Sequence, residues 1–300
     1  MPDDLGSLRT RYAFQDVVTF WSYPSGLVLA NIAAPEGSAL LFLQGGHVVS
    51  FEPGRLRPVL FTSAHSQFAP GKAIRGGVPV IFPWFGPHPT RADLPAHGFA
   101  RTLPWHLATI LPPTAEGAGL TLTLHSSDET RGLWPHDFAL HYTVLVGRTL
   151  DLSLEVHNTG DAPFTFEEAL HTYLSVRDVR QISVEGLDGR EYLDKVDEGR
   201  RKTQSGPITI TGETDRVYLN TPDTVTVDDA DARRRIVVSK ENSATTVVWN
   251  PWVEKAKRLA DFGDDEWPRM LCIETANAAE NAVILPPGAR HTMRARVEVG

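Results

Sequence analysis

The sequence predicts an all-β protein, a sandwich or barrel of antiparallel strands, and three observations carry that reading. Short apolar runs recur at regular intervals with Gly and Pro between them. Several runs alternate apolar and polar residues with a period of two, the mark of a strand that buries one face. No stretch holds the 3.6-residue periodicity of a long amphipathic helix. The chain has 300 residues, enough to bury a large core, and shows no linker, charge block or short repeat. One domain over residues 1–300 is expected.

The elements follow in order. Pro24, Gly26, Pro35, Gly37, Gly45 and Gly46 punctuate the first fifty residues and leave strands at 27–29 and 40–43. Strands are expected at 119–125 and 142–146, and 150–156 alternates cleanly. Gly147-Arg148 lies between the last two and predicts a hairpin, and Asn158-Thr159-Gly160-Asp161 predicts a further turn. Residues 207–211, 224–227, 235–239, 245–249 and 291–299 are rich in β-formers and read as strands. The best helical segment is short, 253–259, and runs into Asp261-Phe262-Gly263.

Charge and cysteine content narrow the partners. Asp and Glu outnumber Lys and Arg by 37 to 29, a formal net charge of −8. Nucleic acid and anionic membrane are therefore unfavourable partners, although a local anion pocket remains open. The single cysteine, Cys272, excludes an internal disulfide and a Cys-based zinc cluster, and suits a reducing compartment. No window approaches the ~18 apolar residues of a spanning helix. Met1-Pro2-Asp3-Asp4 lacks the basic-then-apolar order of a signal peptide. A cytoplasmic enzyme or binding protein is expected.

Four segments carry candidate chemistry. In residues 74–87, Arg75-Gly76-Gly77 precedes an apolar run broken by Pro79 and Pro83, so a regular central strand is excluded. Arg75 either pairs with a carboxylate or stands at the edge of a wall made by Phe82, Trp84 and Phe85. In Ala96-His97-Gly98-Phe99-Ala100-Arg101, a histidine and an arginine flank a glycine and can converge on one anion. In residues 166–174, Glu168 and His171 have the spacing of a di-iron helix, but the surroundings are β-rich and no second copy exists. On a strand, His171 shares a face with Ala169 and Tyr173. A neutral-pH acid is most simply a histidine. In residues 270–277, Glu274 lies within an apolar strand with Cys272 and Ala276 on its face; a buried carboxylate requires a partner or a function. Asp215 and the Trp249-Asn250-Pro251-Trp252 turn are either a turn aspartate and core tryptophans or further members of a polar-aromatic pocket of the kind that holds sugars.

Taken together these segments resemble the glucose-6-phosphate 1-epimerases, the hexose-6-phosphate mutarotases of the aldose 1-epimerase superfamily. The resemblance runs in order through Gln44-Gly45-Gly46-His47-Val48-Val49-Ser50, the segment from Arg75 to Gly86 and His97-Gly98-Phe99-Ala100-Arg101. It continues through Trp134-Pro135-His136-Asp137-Phe138, Leu170-His171-Thr172-Tyr173, Thr214-Asp215-Arg216-Val217-Tyr218, Trp249-Asn250-Pro251-Trp252 and the segment from Cys272 to Asn277. It implies a galactose-mutarotase-like antiparallel β-supersandwich. It implies His171 and Glu274 as the catalytic residues, Arg75 and Arg101 as ligands of the substrate and its phosphate, Asp215 as a sugar ligand, and His97 in the site wall. Ala96 departs from the glutamine that some relatives carry there.

The implied chemistry is interconversion of the α and β anomers of a hexose 6-phosphate, with Glu274 ionised and His171 protonated, and with no metal or cofactor. The implied partner is a small phosphosugar, and the implied state a monomer or weak homodimer. Competing readings are a non-catalytic carbohydrate-binding sandwich, a mutarotase for unphosphorylated aldoses, a glycosidase using two of Glu167, Glu168 and Glu274, and a cupin-like metal enzyme. The last needs clustered ligands; the 11 histidines are scattered and form no His-x-His pair.

Overall fold

A computed structural model describes residues 5–12, 16–54 and 56–300. Nearly all its elements are antiparallel strands. Val18–Ser22, Val28–Ala34, Gly37–Phe42 and His47–Pro53 form a four-stranded meander. One eight-stranded sheet runs Ser183–Glu185, Val225–Asp229, Arg234–Glu241, Arg290–Val299, Leu150–Asn158, Phe138–Val146, Gly117–His125 and His106–Thr114. Leu150–Asn158 alternates buried and half-buried residues throughout, so its apolar face lies on the core and its polar face looks outward. The hairpin at Gly147 closes with Val146 opposite Leu150, and the Asn158 turn closes through Asn158 Oδ1, which accepts from Gly160 N at 3.0 Å.

The other eight-stranded sheet carries the site. Its order is Arg200–Thr203, Glu191–Asp194, Thr214–Tyr218, Thr245–Asn250, Met270–Asn277, Glu168–Leu170 and Val80–Ile81. Tyr173–Ser175 also pairs with Met270–Asn277. All eight residues of Met270–Asn277 are buried, as expected for a strand covered on both faces. The all-β expectation therefore holds.

Two expected elements change. Residues 207–211 form no strand; only Ile208 bridges to Val184, because the alternation there finds no partner for the rest of the segment. The short helix is Trp252–Ala256, ending before Leu259 in successive turns. The proline-broken segment contributes only the two-residue edge strand Val80–Ile81, consistent with its missing donors.

Candidate active site

The catalytic candidates are brought together by register. Leu170 lies opposite Thr275, and Tyr173 lies opposite Cys272. The pairing is continuous across the break between the two short strands, so His171 stands directly opposite Glu274. The break is held from both sides: His171 N donates to Pro79 O at 3.0 Å, and Ile273 N donates to Thr172 O at 3.1 Å. Directly opposed side chains on one face are close enough to touch, and His171 Nε2 lies 3.2 Å from Glu274 Oε1. The imidazole stacks on the Tyr173 ring, with centroids 4.8 Å apart and planes 13° apart. Trp249 meets both rings edge-on.

Glycine chemistry sets the walls. Gly98 has φ +67, and a Cβ there would fall 1.9 Å from Phe82 O. Only glycine lets this loop dock against residue 82, where Phe99 N donates to Phe82 O at 3.0 Å. Docking delivers His97 and Arg101 to the cavity. Gly77 is equally constrained: a Cβ would fall 2.1 Å from Val48 O, and its close approach sets the preceding Arg75.

A cavity of about 450 Å³ is lined by Arg75, His97, Arg101, His171, Asp215 and Glu274, all six residues expected from the sequence. That volume suits a small ligand. Arg75 is tied down: Nη2 and Nε donate to Asp261 Oδ1 at 3.0 and 3.2 Å, and Nη1 donates to Tyr173 Oη at 3.1 Å. Arg75 thus has the expected carboxylate partner and also lines the cavity, but of the expected wall of Phe82, Trp84 and Phe85 only Phe85 lines that cavity, while Phe82 packs on Phe138 and Phe166 in the core. Arg101 differs. Its Nη2 donates to Ala96 O at 2.8 Å, and among the described residues no carboxylate forms an ion pair with it. Burial, with Arg75 nearby, pulls its guanidinium down to about 10. A cation in that position lacks a counter-anion.

The electrostatics of the empty site favour neutral side chains. Burial pushes Glu274 well above the usual carboxylate range, and Asp215 adds to the effect. Burial pushes His171 well below the usual imidazole range, reinforced by His97, Arg101 and Arg75. Both directions favour the uncharged forms, with one proton between the two groups. Burial of both groups opposes the ionised Glu274 and protonated His171 expected for catalysis, while their mutual attraction favours them. Glu274 Oε2 and His171 Nδ1 are buried without a side-chain hydrogen-bond partner. His97 is held down at about 3 by burial and by Arg101 and Arg75, so it is neutral. Its Nδ1 accepts from Gly86 N at 3.2 Å, which leaves Nε2 as a donor. Burial also raises Asp215, against the pull of Lys255, whose Nζ is 3.6 Å away.

The competing carboxylates are held by other partners. Glu167 accepts from Phe85 N at 2.8 Å and Ala279 N at 2.7 Å. Glu168 is fully buried against His291 Nε2 at 2.9 Å and Asn277 Nδ2 at 2.8 Å. Glu167 lines the same cavity as Glu274, but each of its oxygens already accepts a backbone N–H, unlike the free carboxyl pair a glycosidase uses. His171, Cys272 and Glu274 place their ligating atoms within 4.8 Å of one another. Burial and Glu274 hold the Cys272 thiol well above its usual value, and two guanidiniums line the same cavity, so the surroundings suit an anion better than a cation. The sequence reading missed Lys195, Lys255 and Asp261. The first two line the cavity, and Asp261 meets Arg75 across 186 residues of chain. No local pattern signals such a long-range pairing.

Known proteins resemble this chain over most of its length. Residues 29–298 match the aldose 1-epimerase family model. A protein of Escherichia coli strain K12, provisionally named a glucose-6-phosphate 1-epimerase, is 40% identical over 266 residues, covering 88% of each chain. One from Cenchrus ciliaris with the same provisional name is 39% identical over 275 residues, covering 88% of this chain and 82% of that one. The crystal structure of a provisionally assigned mutarotase from Salmonella typhimurium superposes with a TM-score of 0.89 at 34% identity, covering 96% of this chain and 95% of that one. A galactose mutarotase-like protein from Clostridium acetobutylicum shares the fold at 14% identity, with a TM-score of 0.73.

Proposed function

We propose that this chain, which belongs to the aldose 1-epimerase family, interconverts the α and β anomers of hexose 6-phosphates, glucose 6-phosphate first among them. The observation that carries the proposal is the His171–Glu274 pair at 3.2 Å, facing a cavity that also holds Arg75 and Arg101. The reaction needs a base at the anomeric hydroxyl and an acid at the ring oxygen. Both oxygens sit on C1, so donor and acceptor must be neighbours.

In the proposed mechanism the phosphate dianion lies against Arg75 and Arg101. It offsets the positive charge that depresses His171, and the shared proton moves from Glu274 to the imidazole. Glu274 then takes the proton of the C1 hydroxyl as the C1–O1 double bond forms. The C1–O5 bond breaks, and O5 receives the proton of His171. Rotation about C1–C2 presents the other carbonyl face, and the reverse transfers close the ring. His97 Nε2 and Asp215 hold sugar hydroxyls, and Trp249 provides an apolar face. Location in the cytoplasm and a monomeric or weakly dimeric state belong to the same proposal.

Anomer exchange measured by NMR, with glucose 6-phosphate and glucose side by side, tests it. His171→Ala and Glu274→Gln should each lower turnover by at least ~10²-fold, the usual lower bound for a positioned acid or base. The double variant should lose less than the product of the two, because the residues share one proton. Unchanged exchange by either folded single variant would refute the assignment.

A further inference from the structure

We propose a second anion site, a surface pocket lined by Arg57, Arg177, Arg234 and Arg269 that receives a small polyanion of two or three negative charges. The pocket encloses about 350 Å³ and shares no residue with the sugar cavity. Its arginines come from four separate places: the chain before residue 58, the turn after Tyr173–Ser175, the start of Arg234–Glu241, and the end of the short helix Trp267–Arg269. None of the lining residues is acidic.

Arg234 is the fixed member. Its side chain is only 12% exposed, and its guanidinium donates to Pro58 O at 3.2 Å and to Ser175 O. Its Nε lies 3.5 Å from the buried Asp229, which also accepts from Arg177 N at 3.0 Å. Among the described residues, the side chains of Arg57, Arg177 and Arg269 make no ion pair. Elsewhere on this acidic protein arginines sit against carboxylates, as with Arg180 and Asp178, Arg235 and Glu185, and Arg296 and Asp151. Four guanidiniums against the one carboxylate of Asp229 leave an excess of about three positive charges, and gathering like charges is unfavourable without a counter-ion. Guanidinium forks match phosphoryl and carboxylate oxygens alike, so the ligand is a compact phosphoryl or polycarboxylate compound.

Place adds to the argument. Ser175 and Met270 are register partners, so the pocket sits where Tyr173–Ser175 ends and Met270–Asn277 begins. These segments lead directly to His171 and to Glu274. Val176 N donates to Arg269 O at 3.0 Å, joining the two sides beneath the pocket.

Isothermal titration of the full chain at low salt, with pyrophosphate and separately with citrate, tests the proposal. The proteins compared are the wild type, Arg177→Ala/Arg269→Ala and Arg101→Ala. Arg177 and Arg269 are exposed, so the double variant should fold, and circular dichroism checks that. At least one of the two anions should bind the wild type and bind Arg101→Ala equally at this pocket. The double variant should lose about a hundredfold in affinity, roughly tenfold for each charged hydrogen bond removed. The anion that binds more tightly identifies the ligand as phosphoryl or carboxylate. Unchanged affinity of both anions in the double variant overturns the proposal, as does binding abolished altogether by Arg101→Ala.

Discussion

Removing the Arg101 guanidinium tests the phosphate role most cleanly, because the cavity holds its two arginines so differently. Arg75 is bound by Asp261 and Tyr173. Arg75→Ala would strand both partners and cost about 1–3 kcal/mol of stability, mixing structural damage with any loss of binding. Arg101 has only the Ala96 carbonyl. Its charge is already disfavoured in the empty site, where the guanidinium is pulled down to about 10. Arg101→Ala should therefore leave the melting temperature unchanged or slightly raised. If the guanidinium binds phosphate, one charge-assisted bond is worth ~1.5–3 kcal/mol. At ~1.4 kcal/mol per decade, that is roughly a ten- to hundredfold fall in kcat/KM for glucose 6-phosphate, carried mainly by KM. Free glucose has no phosphate to lose, so its slow exchange should stay within about twofold of the wild type. Arg101→Lys should recover part of the loss, since an ammonium restores charge but not the planar fork. The assay is anomer exchange on both sugars with each purified variant, alongside thermal denaturation. Equal losses on glucose and glucose 6-phosphate in a folded Arg101→Ala protein would refute the phosphate role.

The shared proton predicts a pH profile. His171 is depressed and Glu274 raised, so the empty pair keeps one proton over a broad range. The kcat/KM profile should be a broad bell, its acid limb set by a second proton entering the pair below the ordinary imidazole value and its alkaline limb by loss of the last proton. A single limb centred at the ordinary imidazole value, with chemistry limiting, would contradict it. The same shift has a stability consequence. Glu274 has a folded pKa above its unfolded one, so above the ordinary carboxylate value folding must take up a proton, at a growing cost. Glu274→Gln avoids that cost and should melt at or above the wild-type temperature at pH 7 while losing turnover; a clear drop would mean that the carboxylate is stabilising. Gly98→Ala should lose at least ~2 kcal/mol, from left-handed backbone and the 1.9 Å approach to Phe82 O. Denaturation equal to the wild type would show that the loop can move aside.

How much of this was legible in the sequence depends on whether the deciding interaction is local. Strand parity put His171 on the face of Tyr173, and Glu274 on the face of Cys272. Both assignments hold, because the period of two is a property of the chain alone. The pairing of the two segments is not local. Nothing within 168–175 or 270–277 states that they share a register, so the sequence suggested the catalytic pair only through family resemblance. The same divide separates residues 207–211, whose alternation was real but whose partners were missing, from 150–156, whose partners flank it on both sides. Arg75 directly precedes a glycine pair and Arg101 lies three residues after Gly98, and the family resemblance implied the same phosphate role for both. Only the fold brings Asp261 to one and leaves the other facing a cavity without a counter-anion.

The protonation of the pair depends on burial that the sequence does not show. Two opposite charges beside each other suggest an ion pair if water is present. Here Glu274 is 1% exposed in a strand buried throughout, and the cost of desolvating both ions works against their attraction. The charged arrangement that the chemistry needs must therefore come from the ligand. Arg75 and Arg101 both depress His171 in the empty site. Burial is the larger cause and remains, but an anion placed against those guanidiniums offsets their share of the depression, and a phosphosugar brings one. A free hexose fills the same sugar contacts without supplying that charge, so it should bind and still find the proton on Glu274. Discrimination between the two would then reside in kcat as well as KM. Adding inorganic phosphite with free glucose tests this: exchange should quicken in the wild type and not in Arg101→Ala, and the absence of any quickening at saturating phosphite would refute the ligand-driven transfer.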